Sequence, residues 1–171
     1  MPPNPTAGRV GVWRHLKKLG AVYLQDSACV IPDTAALRRE LSPILERIDA
    51  GEGRYHLLPV RKLPSSEEAK LVELFVEQSA DHYREITENC EVNFVKEIEF
   101  ETFRKNYTYE EAEEIRMEFE KIGTWFERVS SRDWFGAPNR NDALTWLQRC
   151  EALLEAFEEK VFEVNATDTT Q

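Results

Sequence analysis

Four cations, Arg9, Arg14, Lys17 and Lys18, fall within one short stretch near the start of the chain. Guanidinium and ammonium groups at that density can neutralise phosphates, so the chemistry open to them is electrostatic contact with a nucleic-acid backbone. Arg38 and Arg39, with Arg61 and Lys62 further on, would add to the field if the fold gathers them. The plainer alternative is a solvated helix face whose charges keep the protein in solution.

Other chemistry is thin. There is no Gly-rich phosphate loop, no GxSxG and no HExxH in the sequence. His15, His56 and His82 are scattered, without a second ligand at helical spacing, and read as surface or core-edge residues. Cys29, Cys90 and Cys150 lie far apart with no CxxC, which points to reduced core thiols rather than a zinc knuckle or a disulfide framework. Carboxylates are so abundant that a close pair carries no catalytic signal. The expectation is a non-enzyme with no catalytic residues, no metal site and no cofactor.

The net charge of -10 is unevenly spread: residues 1–63 hold ten Lys/Arg and six Asp/Glu, and residues 64–171 hold twelve and twenty-six. A nucleic acid would therefore meet the first third and be repelled by the rest. The same imbalance disfavours a membrane surface. No run of about 18 apolar residues and no leader pattern occurs, so the expected location is the cytoplasm.

The elements that must position these groups follow from spacing. Val10, Trp13 and Leu16 recur as a helical stripe, and Gly20 closes that helix. Two short apolar runs, residues 21–24 and 28–31, flank a polar turn and suggest paired strands. Asp33 is placed to cap a second helix with Leu37, Leu41, Ile44, Leu45 and Ile48 on one face and a bend at Pro43. Residues 54–60 have strand composition, with Pro59 marking an edge. Residues 61–66 are the expected boundary between an α+β subdomain over 1–63 and an acidic helical extension over 64–171. In the extension, Ser65 with Glu68 and Thr108 with Glu111 have capping-box spacing. Three long helices are expected, with stripes running from Leu71 to Cys90, from Ile115 to Val129, and from Leu144 to Val161. Residues 94–104 are ambiguous between helix and strand, because Ile98 and Phe100 alternate with acids. Residues 1–7 are expected to be extended, and NATDTTQ a frayed tail.

The stretch RVGVWRHLKKLGAVYLQDSACVIPDT resembles the opening signature of the N-terminal domain of the ChrB chromate-resistance proteins. DHYREITENCEVNFVKEIEFETFRKNYTYEEAEE and RDWFGAP resemble that family's acidic helical extension and its Asp-aromatic-Phe-Gly-Ala turn, which favours helix over residues 94–104. The resemblance implies a transcription-regulatory DNA-binding domain tied to chromate resistance; Arg9, Arg14, Lys17, Lys18, Arg38 and Arg39 are, from their charge and clustering, its candidate DNA contacts. It implies chromate as effector; a separately encoded C-terminal sensor domain and a homodimer are candidate partners. The first third also resembles the ferredoxin-like middle domain of PaaX-type regulators and small CRISPR-associated nucleases, whose metal-binding acid has no counterpart here. Relatives place a short strand before the prolines, so a ferredoxin-like sheet lacking its first strand is expected, completed by upstream sequence, another chain or rearrangement. The alternative function is a non-enzymatic interaction module that docks a partner through its acidic helices.

Overall fold

The computed structural model describes residues 5–51 and 53–168. Helix α1, Pro5–Lys18, opens on a proline, tolerated in the first turn because an N–H there has no intrahelical acceptor. Residues 5–7 are thus helical rather than extended, and residues 1–4 lie outside the described residues. The helix ends as its glycine dictates. Gly20 takes φ 81°, its N–H bonds the Lys17 carbonyl at 3.0 Å, and the Ala21 N–H reaches back to the Leu16 carbonyl at 3.0 Å. Strands β1, Val22–Gln25, and β2, Ala28–Val30, pair antiparallel with Val22 opposite Val30 and an irregularity between Tyr23 and Gln25.

Helix α2, Ala35–Ala50, buries Leu37, Leu41 and Ile44 as their spacing requires, and continues through Pro43. Its cap is Thr34 and not Asp33: the Thr34 Oγ1 accepts from the Leu37 N–H at 3.2 Å. Asp33 instead holds Arg38 through both carboxylate oxygens.

The strand expected over residues 54–60 does not form. The segment has no regular structure, is exposed throughout, and pairs with no strand among the described residues. Strand composition is insufficient without a neighbouring ladder, because each unpaired N–H and C=O is better served by water. The α+β class holds, with a sheet of two strands.

The chain divides into two compact units, Met1–Leu74 and Phe75–Gln171, within helix α3, Ser65–Glu88. The latter helix begins at Ser65 itself, with the Pro64 carbonyl accepting from Glu67 and Glu68, so Ser65 is its first helical residue and not its cap.

Residues 94–104 are helical. A π-helical turn, Asn89–Phe94, links α3 to α4, Val95–Arg104, without a break. The reason lies in the spacing: Ile86, Cys90, Phe94 and Ile98 are all buried and four residues apart. In an α-helix each such step drifts about 40° around the axis, whereas the wider π-turn takes up the drift and keeps all four inward. Helices α5, Tyr109–Ser130, and α6, Arg140–Asp168, complete the second core. Ile115, Ile122 and Val129 face inward from α5, and Leu147, Cys150, Leu154, Phe157 and Val161 from α6. Leu144 is a correction. It is exposed, and fully buried Ala143 occupies the inward position. Helix α6 also runs through the expected tail as far as Asp168; residues 169–171 lie outside the described set.

At the end of α4, Lys105 sits at φ 55°, in the left-handed region that disfavours a side chain. Lys105→Gly is expected to raise the urea midpoint, adding about 0.5 kcal/mol once glycine's greater unfolded-state freedom is counted against the relieved strain. No helix among the described residues is long and apolar enough to cross a membrane.

Candidate nucleic-acid interface

At 100° per residue, α1 has two distinct sides. Val12, Leu16 and Leu19 are partly buried and form the inward stripe. Val10 and Trp13, expected on that stripe, are 37% and 49% exposed and stand among Arg9, Arg14, Lys17 and Lys18, all exposed. Both registers were present in the sequence; packing of α1 against α2 selects the one through Val12. The outward face thus carries cations interleaved with an indole, a combination that can contact phosphates and stack or wedge against bases. Lys17 also places its ammonium 5.6 Å from the centre of the Tyr23 ring on β1.

Arg38 and Arg39 are both exposed on α2. Arg38 is engaged by Asp33, its Nη2 donating to Oδ2 at 2.5 Å. That contact holds the Asp33 carboxyl below the ordinary carboxylate range and raises Arg38. Its charge is therefore largely matched at home. Of the six candidate contacts, the four on α1 share one short helix, while Arg38 and Arg39 belong to a different element.

Between α1 and α2 lies a groove of about 550 Å³ floored by Val12, Leu19, Pro43 and Ile44 and edged by His15, Lys18, Glu40 and Arg47. Arg47 was not among the candidate contacts. The Arg47 guanidinium lies over Gly11, where an added Cβ would be 3.7 Å from its Nη2. The signal available in the sequence was its offset of four from Pro43 and seven from Glu40, which puts the three on one edge of α2. The His15 Nδ1 is 2.7 Å from the Gly11 carbonyl oxygen, which fixes the ring along its own helix.

In the second unit the quoted motifs meet. The Tyr83 hydroxyl, fully buried, donates to the Asp133 Oδ2 at 3.2 Å and shares a hydrogen bond with the Ser130 Oγ at 3.2 Å. Burial pushes the Tyr83 phenol up, offset in part by Ser130. Asp133 also accepts from the Ala137 N–H at 2.9 Å, closing a turn in which Gly136 takes φ 75°. Trp134 and Phe135 pack their rings against Phe75, with centroids 5.7 and 5.5 Å away. The DHYRE and RDWFGAP motifs are therefore joined through the Tyr83–Asp133 hydrogen bond.

Glu97, Glu101 and Glu111 bring carboxylate oxygens within 4.8 Å of one another. Asn106 Nδ2 donates to Glu101 at 2.7 Å and to Glu111 at 3.0 Å, and Arg104 adds a contact to Glu101 at 3.3 Å. Protein donors already occupy Glu101 and Glu111, so these two read as part of a structural carboxylate network. Burial and the neighbouring acids Glu101, Glu114 and Glu97 raise the Glu111 carboxyl.

Fold and site together define an α+β unit with an exposed cationic helix, continued in sequence by an acidic helical bundle. The family profile described as "Protein ChrB, N-terminal" matches residues 9–168, and the chain belongs to that family. Protein ChrB of Cupriavidus metallidurans is 29% identical over 75 residues, a match covering 44% of this chain and 23% of that relative. No solved structure matches.

Proposed function

We propose that this chain is a DNA-binding regulatory domain of a chromate-resistance system, acting without catalysis, with α1 as its DNA-contacting element and chromate as the effector of the system it serves. The observation that carries the reading is the outward face of α1, where Arg9, Arg14, Lys17 and Lys18 are all exposed around Trp13. Family membership supports it, as does the concentration of positive charge in the first 63 residues of an acidic chain.

The test is fluorescence anisotropy of the full chain on a duplex from its own promoter over a range of salt concentrations. Four phosphate contacts give a slope of about -3 to -4 in log K against log salt. Arg14→Glu with Lys17→Glu is expected to weaken binding at least about tenfold while leaving the helical circular dichroism unchanged, since both residues are exposed. A wild-type chain that gives flat curves on that duplex at low salt would rule the reading out.

A second reading, an adaptor that docks a partner such as a separately encoded sensor domain, is favoured by Phe103, 85% exposed on acidic α4. Co-purification of one defined partner, lost on Phe103→Ser and retained in the Arg14/Lys17 variant, would favour it over DNA binding.

A further inference from the structure

Cys90 and Cys150 are each fully buried, and both belong to the core of the second unit. Cys90 lies in the π-turn and Cys150 on α6, and these two elements pack together. The two thiols interact directly, each shifting the other's ionisation. A single buried cysteine is ordinary core filling, serving as a small hydrophobe. Two in direct contact, from elements 60 positions apart, place the reacting atoms of a disulfide side by side.

We propose that Cys90 and Cys150 are an oxidative modification site, a dithiol that a hydroperoxide converts reversibly to an intramolecular disulfide.

Position sets the roles. Cys90 lies in the π-turn beside the exposed Glu91, Val92 and Asn93 and is the nucleophile that a peroxide reaches, while Cys150, on α6, is the resolving thiol. The Cys90 thiolate attacks the peroxide oxygen and the O–O bond breaks, leaving Cys90 as a sulfenic acid and releasing an alkoxide or hydroxide that takes up a proton. Sulfur of Cys150 then attacks the Cys90 sulfur, losing its proton and expelling hydroxide as water. The net change is two thiols and one hydroperoxide to one disulfide, one alcohol or water, and one further water. The two sulfurs supply two electrons, and the O–O bond accepts them.

Access and movement both come from the π-turn. Its helix has an irregular hydrogen-bond ladder, and the residues between Cys90 and Phe94 (Glu91, Val92 and Asn93) are all exposed. Local opening of that turn is the route by which a peroxide reaches Cys90. The sulfurs then need to close from contact to a bond of about 2.05 Å.

The third thiol, Cys29, lies in the first unit and serves as an internal reference. The full chain and a Cys29→Ser variant are treated with increasing hydrogen peroxide, quenched, unfolded and alkylated, and then weighed and peptide-mapped. In Cys29→Ser the alkylatable thiols should fall from two to none, with the loss of two hydrogens in mass and a cross-linked pair of peptides carrying Cys90 and Cys150. Dithiothreitol should restore both. The oxidised chain should also unfold at a higher urea concentration, because the bridge closes a long loop. In the same background, Cys150→Ser should stop at a Cys90 sulfenic acid that dimedone traps. The proposal is overturned if both thiols survive peroxide that oxidises Cys29 in the wild type, if Cys90 proceeds to sulfinic acid without cross-linking, or if the only bridges join two chains. The measurement on the intact pair needs neither core variant to fold.

Discussion

Phe94→Ala is expected to lower the unfolding free energy by about 3–5 kcal/mol, enough to threaten the fold of the second unit. Phe94 is 2% exposed and its ring centre is 5.8 Å from that of Phe119 on α5. It sits where the π-turn hands over to α4, so the cavity would open in the core where these elements and α5 meet. The comparison is built into the chain. Phe103 is 85% exposed on the next helix, and Phe103→Ala removes the same side chain from water rather than from a core. That variant should stay within about 0.5 kcal/mol of wild type. Urea unfolding followed by far-ultraviolet circular dichroism would give both values, and two midpoints shifted alike would contradict the packing described.

Asn106→Ala should cost about 2–3 kcal/mol, and the loss should depend on pH. Asn106 donates one amide group to two carboxylates, Glu101 at 2.7 Å and Glu111 at 3.0 Å. Glu101 is 3% exposed, so without the amide a buried carboxylate keeps only its 3.3 Å contact to Arg104 and faces Glu97 and Glu111. Burial, then Glu101 and the other acids, already raise the Glu111 carboxyl in the native state. A carboxyl raised on folding binds its proton more tightly folded than unfolded. Its effect on stability is therefore least unfavourable at low pH and becomes more costly as pH rises through the unfolded value toward the folded one. Removing Asn106 takes away the donor that separates the two charges, so the deficit relative to wild type should be greatest near neutrality and shrink on acidification through about pH 4–5. Glu111→Gln in the same background should flatten that dependence. A deficit constant across the range would show that repulsion is not its source.

Residues whose environment is made within their own helix were legible from spacing. Tyr83, Ile86 and Cys90 on α3 and the π-turn, and Leu37, Leu41 and Ile44 on α2, are buried as their periodicity requires. Gly20 took the left-handed cap that glycine permits, and Thr108 accepts from the Glu111 N–H as its spacing indicates. The misreadings arose where a second element decides. Helix α1 contains two possible apolar stripes, and only packing against α2 puts Val12 inward and Trp13 outward. Thr34 and Asp33 could each have capped α2; Arg38 settled the choice by taking the aspartate. Residues 54–60 had the composition of a strand but no ladder to join. For the candidate interface, the cations of α1 could be read directly, but Arg47 could not. Its edge of α2 follows from its offsets to Glu40 and Pro43, but Gly11 and His15 across the groove lie more than thirty residues away, and no local pattern reports that placement.

The π-turn holds one residue more than an ordinary helix needs over the same arc. Glu91, Val92 and Asn93 are exposed, and side-chain changes there should be well tolerated. Losing one of the three should be tolerated too, because the turn would tighten to an ordinary helix and the tighter winding would nearly offset the missing residue, leaving Ile98 and Glu101 facing inward. A residue lost from α4 meets no such slack, and everything after it would rotate by about 100°. Relatives should accordingly vary in what fills the turn and by one in how many residues it holds, while the spacing from Val95 to Glu101 stays fixed.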